Sequence, residues 1–227
     1  MARPYRGPVT VKDLILMPVL ITLAVSLIRL IGELAHGPEI LFGRAAGGGG
    51  ALVGIVWLVP IFGVYFAVKQ VRRGAGPSNW VRAFVWFPLS LGVMFCGALL
   101  PPLFGFGQTD IGTLLLVAAV SLVSLAVASL GWSFLFKPLL SYAIWARIPV
   151  VVIMLATMIA DAGTHYDAPP PDFPEMGVLA KWFLIGVIPQ FTIWIALTVS
   201  LGGIFGGFVG GFMALFGKRK SPSPEEA

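Results

Sequence analysis

Gly112-Thr-Leu-Leu-Leu-Val-Ala-Ala-Val-Ser-Leu-Val-Ser-Leu-Ala-Val-Ala-Ser-Leu-Gly-Trp-Ser-Phe-Leu-Phe136 contains no charged residue. Crossing a bilayer core of roughly 30 Å takes about 20 apolar residues wound as a helix. This stretch supplies them, and it is one of several. The chain is 58% hydrophobic and 11% charged, with a mean hydropathy of +0.94. Soluble domains carry about 25% charged residues, so most of this surface is suited to lipid rather than water. Backbone groups in lipid must be satisfied within the segment, which makes such runs helices. The alternation that marks a membrane barrel is absent.

Working outward from 112–136, the sequence predicts an all-α polytopic membrane helix bundle of about six spans. These lie near 14–35, 51–70, 82–104, 112–136, 140–161 and 178–216. Together they read as a single transmembrane helical domain over 1–217, followed by a disordered cytoplasmic tail at 218–227. The basic start Arg3, Arg6 and Lys12 runs into a span-length segment with no clear cleavage site, so it reads as a retained first helix. The last span is too long. Val178 to Gly217 would reach roughly 60 Å as a helix, which calls for a hinge at Pro189 or an end near Gly202 with the remainder along the inner surface.

Charge orients the bundle. With the N-terminus inside, the inner segments hold eleven basic residues: Arg3, Arg6, Lys12, Lys69, Arg72, Arg73, Arg82, Lys137, Lys218, Arg219 and Lys220. The outer segments hold two, Arg44 and Lys181. That bias predicts both termini in the cytoplasm. Glu33, Glu39, Asp110, Asp161, Asp167, Asp172 and Glu175 then fall outside, as do both histidines. Alanine, glycine and arginine usage fits a bacterial inner membrane. Cys96 is the only cysteine and forms no internal disulfide.

Three groups of residues could carry function. Arg29 and Glu33, one turn apart, form a candidate intramembrane ion pair. Arg147, placed near the inner end of the fifth span, is expected to snorkel to headgroups. Glu33-x-x-His36 has a spacing that can put two ligands on one helix face, and Asp161 and His165 would share another. Glu33, His36, Asp161 and His165 therefore form a candidate metal set suited to a divalent transition metal such as zinc. Asp161 and His165 belong to the acidic, proline-rich stretch 161–177, which reads alternatively as a solvated turn or a docking loop.

The third group is glycine. Gly202, Gly206 and Gly210 form one i,i+4 row, and Gly203, Gly207 and Gly211 the next. Phe205, Phe208, Phe212 and Phe216 cluster opposite. Such a smooth face admits close helix packing, within the chain or against a membrane partner or second copy. The lipid bilayer and a membrane partner or second copy on the glycine face are the partners indicated, and nothing points to nucleic acid. No nucleotide loop, nucleophile elbow or zinc-protease motif is present. The sequence favours a non-enzymatic role without a cofactor, as a small transporter or a membrane subunit or scaffold. The alternative is a membrane-embedded metal-dependent enzyme with its site on the outer face.

Overall fold

A computed structural model of the protein describes residues 10–107 and 110–217. Arg3, Arg6, the cluster Lys218-Arg219-Lys220 and the tail 218–227 lie outside the described residues. Among those described the chain is helical, with no strand. In order, the α-helices are α1 (Val11–Leu34), α2 (Glu39–Phe42), α3 (Leu58–Arg72), α4 (Trp80–Phe84), α5 (Trp86–Ala98), α6 (Ile111–Ser129), α7 (Ser133–Ala160), α8 (Val178–Lys181), α9 (Ile188–Phe191) and α10 (Ile193–Gly217).

Five segments are long and apolar enough to cross a membrane: Val11–Leu34, Val81–Phe104, Ile111–Ser129, Ser133–Ala160 and Val178–Phe216. The distribution of side chains matches. Ile31, Leu103 and Ile159 are each more than 60% exposed, while Ser90, Ser121, Ser124 and Ser200 are fully buried. Polar groups inside and apolar groups outside suit a lipid surround. The buried hydroxyls are satisfied: Ser90 and Ser200 bond each other at 2.7 Å, and Ser124 donates to the Ser90 carbonyl at 2.7 Å.

Three boundaries differ from the sequence-based expectation. The span expected at 51–70 is helical only from Leu58, and α3 has 15 residues, roughly 22 Å at the helical rise. Residues before it bond elsewhere: the Leu52 and Val53 amides donate to the Ile40 and Leu41 carbonyls at 2.9 and 3.1 Å. The break expected near Lys137-Pro138 falls instead at Leu130-Gly131-Trp132. Trp132 is pinned there by its indole N–H, which donates to the Ala75 carbonyl at 3.0 Å. Pro138 then lies within α7, as membrane helices tolerate. The start of α7 moves up by about two turns, and this relocates Arg147.

The long last segment is helical through most of its length but irregular. Trp182–Val187 is a π-helical stretch and Thr192 breaks the regular winding at φ −119. Pro189 has no N–H to give the Ile185 carbonyl four residues back, and a widened turn accommodates the lost bond. Beyond Gly202 the helix does not lie along a surface; it packs into the bundle.

There α10 is the hub, touching α3, α4, α5, α6 and α7. Its two glycine rows fit two neighbours. A Cβ at Gly206 would strike the Gly63 carbonyl of α3, and one at Gly63 would strike Gly202. At Gly203, Gly207 and Gly211 it would meet Phe87, the Ala83 carbonyl and Phe84, on α4 and α5. The glycine face is thus packed against the chain's own helices, α3, α4 and α5 among them. Phe205, Phe208, Phe212 and Phe216 face outward.

Candidate functional site: a cavity between two buried arginines

The site begins with a polar stripe on α1. Thr22, Ser26, Arg29 and Glu33 recur at three- and four-residue intervals, and all are buried. Helical geometry puts them on one face. Arg29 Nε donates to Glu33 Oε1 at 2.7 Å, and its two Nη groups donate to the Gly43 and Val53 carbonyls at 2.9 and 3.0 Å. One guanidinium therefore neutralises Glu33 and holds both ends of the glycine-rich loop that leads into α3. The loop needs glycine where φ is +75°, +72° and +83°, at Gly47, Gly48 and Gly50, a region costly for other residues.

The second wall comes from the loop after α7. Asp161 ends the helix at φ 48 and Gly163 follows at φ 66. Asp167 then gathers the turn: its carboxylate accepts from the Gly163 amide at 2.9 Å, the Thr164 amide at 2.7 Å and the Thr164 hydroxyl. This folds 164–167 into the bundle. The His165 amide donates to Glu33 Oε2 at 2.8 Å and its ring Nδ1 bonds Oε1. A carboxylate can only accept, so Nδ1 is the donor in this bond. Tyr166 donates to the Ser26 carbonyl at 3.2 Å. Burial, and then the nearby Glu33 carboxylate, push its phenol up to about 12. The stretch 161–177 is accordingly two things. Its first half is a buried plug, and its proline-rich second half is largely exposed.

Between these walls lies a cavity of about 410 Å³, lined by parts of α1, α6, α7, α9 and α10 and by the loops. Exposed Trp57 and Asp110 stand at its loop end, followed by Arg29 and His165. Deeper in are Val150, Met154, Gln190, Trp194 and Arg147. Arg147 is 4% exposed and stands roughly 20 Å from either end of α7. The expectation that it snorkels to headgroups is corrected, because the helix begins earlier than its apolar run suggests. One Nη donates to Gln190 Oε1 and the other to Thr198 Oγ1, both at 3.2 Å, and the guanidinium lies over the Trp194 ring at 5.1 Å. Its Nε has no hydrogen-bond partner. Among the described residues the ion pairs are Arg29–Glu33 and His165–Glu33, so no carboxylate offsets Arg147.

Of the four candidate metal ligands, two meet. Glu33 and His165 are bonded, while His36 and Asp161 are directed elsewhere. The Glu-x-x-His spacing presumes a helix through residue 36, but α1 ends at Leu34. The Gly37 amide caps it by donating to the Gly32 carbonyl at 2.8 Å. His36, at φ 53, turns off the helix face and its Nδ1 lies 2.9 Å from Arg44. Likewise α7 stops at Ala160, so Asp161 and His165 do not share a helix face. Among the described residues no three His, Cys, Asp or Glu side chains are grouped to hold a metal ion. Sequence reasoning missed Gln190, Trp194 and Thr198 as partners of Arg147. The available signal was the apolar run around an arginine whose only neighbours in sequence are neutral.

No family model, no curated protein and no solved structure matches this chain.

Proposed function

We propose that the protein is a multi-pass membrane protein that admits a solute into this cavity, as a small transporter or the solute-binding subunit of one. One observation carries the reading: a cavity of small-ligand size leads from exposed loops to an arginine in the middle of a membrane-spanning helix. An ionisable residue at that depth is costly and marks a solute pathway more often than a structural prop. The same observation disfavours a pure scaffold, which has no use for such a cavity. A metal-dependent enzyme gains nothing from His36 and Asp161 turned away from the cavity. In this reading both termini are cytoplasmic, as the distribution of basic residues favours, and the His165 end opens outward in a bacterial cytoplasmic membrane.

Thiol labelling tests it. In a Cys96→Ser background, Val150→Cys lines the cavity near Arg147, Ala168→Cys lies at its loop end, and Val152→Cys, at 62% exposure in the middle of α7, points out of the bundle. A membrane-impermeant maleimide added to intact cells is expected to label the first two and not the third. Labelling of the Ala168→Cys variant without any reaction of the Val150→Cys variant would refute a solute path.

A further inference from the structure

Resting on that reading, we propose that the occupant of the cavity is a monovalent organic anion: a carboxylate carried on an apolar body, with its head on Arg147.

Charge selects the head. Arg29 is matched by Glu33, and His165 spends its Nδ1 on the same carboxylate. Asp110 lines the loop end, as the cap of α6. Arg147 alone stands deep in the cavity with only neutral partners, Gln190, Thr198 and the Trp194 ring. One negative charge balances it. A cation would be repelled, and a dianion would leave an excess charge in a low-dielectric site, where that is expensive. A buried guanidinium N–H without an acceptor is an unmet hydrogen bond, and Arg147 Nε is the one buried side-chain polar atom among the described residues left in that state. A carboxylate supplies both the charge and the acceptor, and guanidinium is suited to it in geometry.

The walls select the body. Trp57, Ile55, Met154, Ile185 and Trp194 surround the space leading to Arg147. A small inorganic oxyanion is strongly hydrated and needs many donors. Here two of the three guanidinium nitrogens are already engaged, and the walls next to Arg147 include the apolar Val150, Met154, Ile185 and Ile193. An organic acid instead buries its hydrocarbon against those walls while its head meets the arginine. The same head group occurs on soluble organic acids and on fatty acids arriving from the bilayer.

The test uses the full chain in a non-ionic detergent, with tryptophan fluorescence and thermal melting as readouts. Probes are benzoate, octanoate and oleate, the neutral amides of the first two, phthalate as a dianion, and inorganic phosphate. Saturable binding of a monocarboxylate, at least tenfold tighter than its amide and than phthalate or phosphate, is the expected result. Binding of benzoate or octanoate points to a soluble acid, and binding confined to oleate points to a lipid-borne one; both support the anion chemistry. Arg147→Met should abolish the preference for carboxylate over amide, and Arg147→Lys should keep part of it. Should Arg147→Met fail to fold, the wild-type comparison of acid with amide still decides. Equal affinity for acid and amide would overturn the inference while leaving a solute-binding cavity intact. Binding of none of the probes, in a protein whose Val150→Cys variant is labelled, would likewise overturn the inference and not the proposed function.

Discussion

The amide of His165 donates to the carboxylate of Glu33 across 132 residues of chain, at 2.8 Å. The contact fastens the loop after α7 to the first helix, and Arg29 fastens the loop after the first helix to the same carboxylate. A single buried acid therefore organises the entrance to the cavity.

Replacing Glu33 with glutamine removes the one negative charge against which Arg29 is buried. Loss of one member of a buried pair typically costs about 3–5 kcal/mol. Thermal melting in detergent should fall sharply for Glu33→Gln, and much less for the double change Arg29→Met with Glu33→Leu, which removes both charges. An equal loss in both variants would show that packing rather than charge pairing holds this region.

The α3–α10 contact should be intolerant of a single methyl group. Gly63→Ala places a Cβ against the Gly202 backbone, where no side-chain movement relieves it. Overpacking of this kind costs about 1–3 kcal/mol. Gly92→Ala, on an open stretch of α5 with nothing within 4 Å, should be neutral or stabilising, since alanine is the better helix former. Melting temperatures of the two variants check the contrast.

Alkaline stability should depend on Tyr166. Its folded pKa, about 12, lies above the ordinary phenol value near 10. Below about pH 10 the phenol is neutral both folded and unfolded and its contribution is fully present. Between 10 and 12 only the unfolded chain ionises it, so stability is lost as pH rises through that window. A Tyr166→Phe variant should lose less stability across it, at the cost of about 1 kcal/mol for the missing bond to the Ser26 carbonyl. Unchanged pH dependence in Tyr166→Phe would disprove the assignment.

Asp167→Ala should loosen the plug without unfolding the bundle. Three accepted bonds disappear, all within 163–167. Limited proteolysis should cut this loop several-fold faster than in the wild type, while the melting temperature of the helices moves little.

Much of the architecture is legible in residue order because lipid imposes a simple rule on it. A charge-free run long enough to cross a bilayer has few alternatives, and glycines four apart mark close packing whatever the partner. Arg29 and Glu33 were readable for the same reason: buried opposite charges one turn apart satisfy each other locally. The failures are equally physical. Pattern alone cannot see that Trp132, not Lys137, marks the start of α7, because a tertiary hydrogen bond to Ala75 decides it. An error of two turns there was enough to hide the depth of Arg147. The ligand spacings at His36 and Asp161 presume helix where there is none: both residues sit just past a helix end, with positive φ.

The two arginines also differ in when, during synthesis, their charges can be met. Chains emerge from the ribosome N-terminus first. Arg29 and Glu33 are made within one turn of each other, so the first helix can enter the bilayer as an electrically neutral rod, long before His165 exists. Arg147 has no such companion. Gln190 and Thr198 follow it by 43 and 51 residues, which leaves its helix carrying a bare cation until α9 and α10 arrive. Membrane insertion of α7 is thus tied to that of the C-terminal helices, and a nascent chain truncated before Gln190 is the form in which that dependence would be exposed.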